Sequence, residues 1–258
     1  MSNDVGRDGD FVQSLERGLA VLRAFDADHA TLTLSDVARL TGLTRATARR
    51  LLLTFVSLGY MRCDDHRFSL TPKVLDLGHS YVSSLQLADI AQPSMEAMSE
   101  RVHESVSCAV LDGEEIVYVA RVPTTRIMTI SLALGSRLPA WCTSLGRVLL
   151  AELPEGELDA YLARVRPVAR TARTITDPEQ LRAALAEARR QGWAMVDQEL
   201  EDGVRSIATA LRGRDGRAVA ALNCSTHAGR VGLRELRTEF VPALLATAAE
   251  INARLAAR

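Results

Sequence analysis

The 258-residue sequence predicts two modules: an all-α winged helix-turn-helix with a β wing, then a larger α+β domain. Three observations carry that expectation. The stretch SDVARLTGLTRATARRLLLTFVSLGY reads as a short helix, a glycine turn and a second helix, with a hairpin after it. Five arginines (Arg39, Arg45, Arg49, Arg50, Arg62) and no acid lie between Val37 and Cys63, although the whole chain has a formal net charge of only −1. Beyond residue 89, strand-like and helix-like segments alternate irregularly, the pattern of α+β layers.

The chain is longer than a usual single domain. Its charge divides as its pattern does: residues 11–75 hold nine basic and six acidic side chains, whereas 76–258 hold 21 and 23. The expected organisation is a disordered tail over residues 1–10, a winged helix over 11–71, a linker helix over 72–88 and the α+β domain over 89–258. With 47% hydrophobic residues, each module can build a core. No apolar run reaches the roughly 18 residues that span a bilayer, and the N-terminus lacks a signal-peptide profile, so no membrane partner and a cytoplasmic protein are expected. Four cysteines lie far apart without a CxxC pair, which predicts buried thiols rather than a disulfide framework, and no metal or cofactor.

In the first module Ser14 is the expected cap of a helix whose stripe is Leu15, Leu19, Leu22 and Phe25. Ser35 is the expected cap of a second helix, running through Thr41 with Val37, Ala38 and Leu40 turned inward. Gly42 supplies the tight turn. Thr44 then caps a third helix that reaches Leu58, with Ala48, Leu51, Leu52 and Phe55 on its core face.

At 100° per residue, Ala46 and Arg50 fall opposite that core face, and Arg45 and Arg49 fall on its flank. They project from the N-terminal half, the part of a recognition helix that reaches base edges in the major groove. Thr44 and Thr47 can meet phosphate oxygens. The segments YMRC and RFSL flank Asp64, Asp65 and His66, a hairpin that would set Arg62 or Arg67 beside the backbone. A double-stranded DNA operator is the partner this predicts. The alternative is a sensor whose winged helix docks a protein through a solvated basic face.

From Pro72 a long helical stretch, interrupted at Pro93, presents Val74, Leu77, Tyr81 and Leu85 as a stripe, and pairing with a second chain would bury it. A homodimer through residues 72–88 is expected, with packing on the larger domain as the alternative. In that domain ESVSCAVL and EIVYVARV flank the turn Asp112-Gly113, and RIMTISL is expected as a third strand. Further strands are expected over Trp193–Val196, Val204–Leu211 and Ala218–Thr226. Helices are expected over Thr143–Leu153, Pro154–Ala163, Pro178–Gln191 and from Gly232 onward.

Catalytic templates fail: there is no GxSxG, Walker loop, GxGxxG or HExxH. Cys224 with His227, or His103 with Cys108, could be nominated as the dyad of a thiol-dependent hydrolase, but no pattern supplies an oxyanion hole. A polar set does stand out in the apolar strands: Asn223 and Ser225 on one face, Ser206, Asp197, and Thr143 and Ser144 opening a helix. Such groups mark either a hydrogen-bonded structural network or a small-molecule pocket. A helix N-terminus at Ser144 would suit a carboxylate.

The segments FVQSLERGLAVLRAF, TGLTRATARRLLLTFVSLGY, HESVSCAVLDGEEIVYVARVPTTRIM and GSRLPAWCTSLGRVLLAELP closely resemble the IclR family of bacterial transcription regulators. The resemblance is nearest to its branch controlling protocatechuate and p-hydroxybenzoate catabolism in the β-ketoadipate pathway. It extends from Phe11 through GWAMVDQELEDGVRSIA and AALNCSTHAGRV. It implies a DNA-binding winged helix, a GAF-like effector-binding domain, and dimers or dimers of dimers. It also implies an effector that is a small aromatic or dicarboxylic acid. Carried over by position, the pocket residues would be Ile130, Thr143, Ser144, Leu145, Asp197, Ser206, Asn223 and Ser225.

Overall fold

The computed structural model describes residues 11–26, 28–78, 87–124 and 132–257. The expected tail, residues 1–10, lies outside them. Two compact units emerge, Met1–Ser84 and Leu85–Arg258.

The N-terminal unit opens with helix α1 (Gln13–Arg23). It starts after Val12, with no side-chain cap, so Ser14 lies inside the helix. Its inward face also differs from the expected stripe. Gly18, Val21 and Phe25 are buried, whereas Leu15 and Leu19 are 62% and 49% exposed. Gly18 lies against the helix that carries Phe55, where a Cβ would meet the Phe55 ring at an ordinary packing distance of 3.6 Å, and Leu15 and Leu19 lie on the exposed side.

Strand β1 (Leu32–Thr33) leads into α2 (Leu34–Thr41). Thr33, not Ser35, is the cap. The Asp36 amide donates to Thr33 Oγ1 at 3.3 Å and the Thr33 amide to Asp36 Oδ2 at 3.1 Å, a reciprocal capping box that Ser35 cannot match. Val37 and Ala38 are buried, but Leu40 is 41% exposed. Gly42 ends α2 at φ 68°, a left-handed backbone. Helix α3 (Arg45–Ser57) follows, capped by Thr44 as expected, with Ala48 and Leu52 buried and Leu51 and Phe55 half-buried. The wing is β2 (Met61–Asp64) against β3 (Arg67–Leu70), turned by Asp65 and His66, both at positive φ. β1 adds to the far edge of β3.

Of the expected linker helix, the described residues contain a 3-10 turn at Pro72–Val74 and helical residues 75–78. Tyr81 and Leu85 lie outside them. The next helix, α4 (Leu87–Val102), runs through Pro93 without the expected interruption. The lost backbone bond is offset by burial of Ile90, Ala91, Met95 and Met98 along one face.

The C-terminal unit is a six-stranded antiparallel sheet. Its strands are β4 (Ser105–Asp112), β5 (Glu115–Val122), β6 (Arg137–Pro139), β7 (Trp193–Asp197), β8 (Val204–Arg212) and β9 (Ala218–His227). The spatial order is β6-β5-β4-β9-β8-β7. The expected strand RIMTISL falls largely in residues 125–131, outside the described set, and β6 is the strand that pairs with β5. Helices α5 (Ser144–Ala151), α6 (Glu155–Arg164) and α7 (Pro178–Gln191) match the expected segments. The C-terminal helix passes through a π turn at Leu236–Phe240 before α8 (Val241–Ala256).

Both faces of the sheet are covered. Val106, Cys108, Ile207, Leu222 and Cys224 pack with Met95, Leu244 and Ile251 from α4 and α8. On the other face Ala109, Tyr118, Ala194, Ala208 and Ala221 pack with Leu145, Leu149, Leu181 and Leu185 from α5 and α7.

Candidate nucleic-acid interface and ligand pocket

In the N-terminal unit, Arg45, Ala46, Arg49 and Arg50 are all exposed on α3, on the side away from Ala48 and Leu52. Arg45, Arg49 and Arg50 make no ion pair among the described residues, so their charge is uncompensated there. Thr44 Oγ1 donates to Thr47 Oγ1 at 2.9 Å and accepts from the Thr47 amide at 3.2 Å, which fixes the first turn of the helix. On the wing, Arg67 is exposed, and Arg62 is steered by Ser69 Oγ (3.0 Å) and Asp64 (3.4 Å). Asp36 is held below the usual carboxylate range, chiefly by the Thr33 side chain, and is engaged in capping. The arrangement suits a polyanion: free guanidinium groups and a helix N-terminus on one side of a rigid frame.

In the C-terminal unit, sheet register builds a pocket. Ser225 on β9 is flanked by Ser105 on β4 and Ser206 on β8, and Val196 on β7 continues the row. In the adjacent row Asn223 is flanked by Ser107 and Ala208, and Ser107 pairs with Arg121 on β5. Directly paired residues share a face, so two polar rows cross four strands on the α5 side. A bulge decides what β5 contributes. Cys108 pairs with Ala120 but Ala109 pairs with Tyr118, which leaves Val119 as the extra residue and brings both Tyr118 and Arg121 to the pocket face.

Cys142, Thr143, Ser144 and Leu145 close the pocket from above, with Leu132, Leu200 and Val204 at its sides. Thr143 caps α5 through the Gly146 amide at 3.1 Å, aiming the first turn of the helix inward. α5 can approach so closely because residue 146 is glycine: a Cβ there would overlap the Ala140 backbone oxygen. Burial pushes the Tyr118 phenol up to about 12, against the opposing effect of Arg121, so the ring is neutral.

Three buried polar side-chain atoms lack a hydrogen-bond partner among the described residues: Arg121 Nε, Ser144 Oγ and Asn223 Oδ1. All three belong to residues lining this pocket. Arg121 also meets the Leu132 carbonyl through Nη1, and Asn223 Nδ2 donates to Ser225 Oγ at 2.9 Å. What remains is two donors and one acceptor.

Of the residues expected here, Thr143, Ser144, Leu145, Ser206, Asn223 and Ser225 come together. Ile130 lies outside the described residues. Asp197 does not join them. It follows Val196, which lines the pocket, so alternation turns it to the opposite face, where Arg205 Nε (2.6 Å) and Arg173 Nη1 (3.0 Å) engage it. Burial works against its ionisation, but the bonds from Arg205 and Gln198 and the charges of Arg205 and Arg173 together outweigh it and hold Asp197 below the usual carboxylate range. Arg121, Tyr118, Ser105 and Ser107 are pocket residues that the sequence reading missed.

The nominated dyads do not form. Cys224 and His227 point to opposite faces of β9, and Cys108 donates to Met95 Sδ at 3.6 Å in the core. Burial raises all three interior thiols, Cys108 to about 12 and Cys142 to about 11, so none is a nucleophile at neutral pH.

A winged helix with a bare arginine face in one unit and an enclosed polar pocket in the other define a ligand-responsive DNA-binding regulator. The chain belongs to the IclR family of bacterial transcriptional regulators, and is not an enzyme. The model of the IclR helix-turn-helix domain matches residues 14–65, and that of the bacterial transcriptional regulator IclR C-terminal domain matches residues 79–253. The Pca regulon regulatory protein of Pseudomonas putida is 47% identical over 245 residues, covering 95% of this chain and 84% of that protein. A Rhodococcus sp. RHA1 protein of known crystal structure is 54% identical, with a TM-score of 0.87 over 96% of this chain and 99% of its own. An IclR homologue from Microbacterium hydrocarbonoxydans, complexed with 4-hydroxybenzoate, is 28% identical, with a TM-score of 0.83 over 95% and 100% of the two chains. No helix of the described residues is long and apolar enough to cross a membrane.

Proposed function

We propose that this regulator controls genes of aromatic-acid catabolism and takes a small aromatic acid, such as protocatechuate or 4-hydroxybenzoate, as its effector. The observation that carries the proposal is the concentration of all three unsatisfied buried polar atoms on one pocket. Arg121, Ser144 and the first turn of α5 offer donors to a carboxylate. Asn223 Oδ1 offers an acceptor to a ring hydroxyl. The Microbacterium relative, complexed with 4-hydroxybenzoate, points to the same chemistry.

In this reading the double-stranded operator is met by Thr44, Arg45, Ala46, Thr47, Arg49 and Arg50 on α3 and by Arg62 and Arg67 on the wing. The protein works as a homodimer or a dimer of dimers in the cytoplasm. The effector shifts its population between forms of different operator affinity. The test is thermal denaturation with each acid, paired with an operator gel shift. Melting temperature should rise with acid concentration and operator affinity should change over the same range. An unchanged melting temperature with both acids would remove the aromatic-acid assignment.

A further inference from the structure

Behind the pocket lies a buried ion pair whose two members do not line it. Arg147 on α5 and Glu199, just after β7, are 3% and 6% exposed. Arg147 Nη1 reaches Glu199 Oε1 at 2.7 Å and Nη2 reaches Oε2 at 2.5 Å, a two-point fork. Arg147 Nε also donates to the Trp141 carbonyl at 3.1 Å. Glu199 Oε2 accepts from the Ile175 amide at 3.1 Å, and the Glu199 carbonyl accepts from Thr174 Oγ1 at 2.7 Å.

The pair thus clamps two segments that are pocket walls. One carries Cys142, Thr143, Ser144 and Leu145; the other carries Val196, Leu200 and Val204. A buried ion pair contributes little net stability, because desolvation consumes most of its attraction. What the two-point geometry does supply is a fixed direction and distance.

We infer that Arg147 and Glu199 are positioning residues of the pocket, holding the N-terminus of α5 and the 196–204 wall at the separation that lets one ligand engage both. The inference rests on reading the pocket as the effector site. It differs from a stabilising role in what it predicts for apolar replacement. In Arg147→Met/Glu199→Met, similar volumes replace the charges, so the melting temperature should stay within about 4 °C of the parent. Loss of preorganisation should still weaken binding of 4-hydroxybenzoate about tenfold.

Two measurements decide the matter: calorimetric titration with 4-hydroxybenzoate, and amide hydrogen exchange of the unliganded full-length protein. Exchange should accelerate at residues 143–146 and 199–204 and stay unchanged in α8. Arg147→Gln/Glu199→Gln, which removes both charges and leaves neither buried and unpaired, should show the same local acceleration and serves if the methionine double variant does not fold. Parent-like affinity together with parent-like exchange would overturn the inference. If the parent itself binds no 4-hydroxybenzoate, the ligand assignment fails and exchange alone judges the positioning role.

Discussion

Replacing Arg121 by methionine separates a binding cation from a structural one. In the unliganded protein its buried Nε has no partner among the described residues, and an unmade bond of that kind costs about 1–3 kcal/mol. The substitution removes that penalty and gives up the charge-assisted Nη1 contact with the Leu132 carbonyl, worth about 1.5–3 kcal/mol. The two nearly cancel, so the net change is near zero. At roughly 2–4 °C per kcal/mol for a unit of this size, the unliganded melting temperature should stay within a few degrees of the parent. With ligand the change is a loss. Charge-assisted bonds to a carboxylate are worth about 1.5–3 kcal/mol, so Kd for an aromatic acid should rise roughly 10- to 150-fold. Paired melting curves with and without 4-hydroxybenzoate, followed by calorimetric titration, read both effects. An unliganded variant melting far below the parent, or one that binds the acid as tightly, would refute the assignment of Arg121 as the carboxylate anchor.

Arg49→Ala should change stability by less than about 0.5 kcal/mol, because the side chain is exposed, and weaken operator binding by about 1–3 kcal/mol in a gel-shift titration. Equal affinity would mean that α3 does not face the duplex. Asp197 is held ionised in the fold, so its contribution is complete above its ordinary value of 3.8 and disappears as pH falls through its lower folded value. Asp197→Asn should accordingly flatten the loss of melting temperature below about pH 4, and an unaltered acid limb would argue against the Arg205 pairing. Benzoate keeps the carboxylate but has no hydroxyl to offer Asn223 Oδ1, so it should bind roughly 5- to 150-fold more weakly than 4-hydroxybenzoate. Equal binding would place the hydroxyl elsewhere.

The arginine face of α3 was legible because local signals agree there: Gly42 for the turn, Thr44 for the cap, and a helical period that separates Ala48 and Leu52 from the arginines. The caps of α1 and α2 were harder to read. Ser14 and Ser35 are good capping types, but the reciprocal bonds between Thr33 and Asp36 settle the start of α2, and α1 packs through Gly18 rather than through Leu15 and Leu19. In the pocket, Asn223, Ser225 and Ser206 stood out by alternation. Ser105 and Ser107 carry the same signal in ESVSCAVL and could have been found by it. Arg121 could not, because near the end of an apolar strand it resembles a solvated terminus. Only its pairing with Ser107, and the extra residue at Val119, turn it inward. Asp197 failed for the complementary reason: a shift of one residue in β7 reverses every side chain.

The polar rows also bear on what an effector can accomplish. Driving a two-state regulator from one part in a hundred to ninety-nine needs a differential affinity of about 5.5 kcal/mol. Each unsatisfied buried group offers about 1–3 kcal/mol when a ligand completes it. If a ligand completes them in one form only, Arg121 Nε, Ser144 Oγ and Asn223 Oδ1 together span that requirement, whereas any one alone falls short. Those atoms sit on β5, α5 and β9, which the bulge at Val119 and the glycine contact at residue 146 bring to one space. On the proposed reading, a ligand that satisfies only one of them would bind without completing a switch, so an acid carrying a second polar group on the far side of its ring should be the better effector.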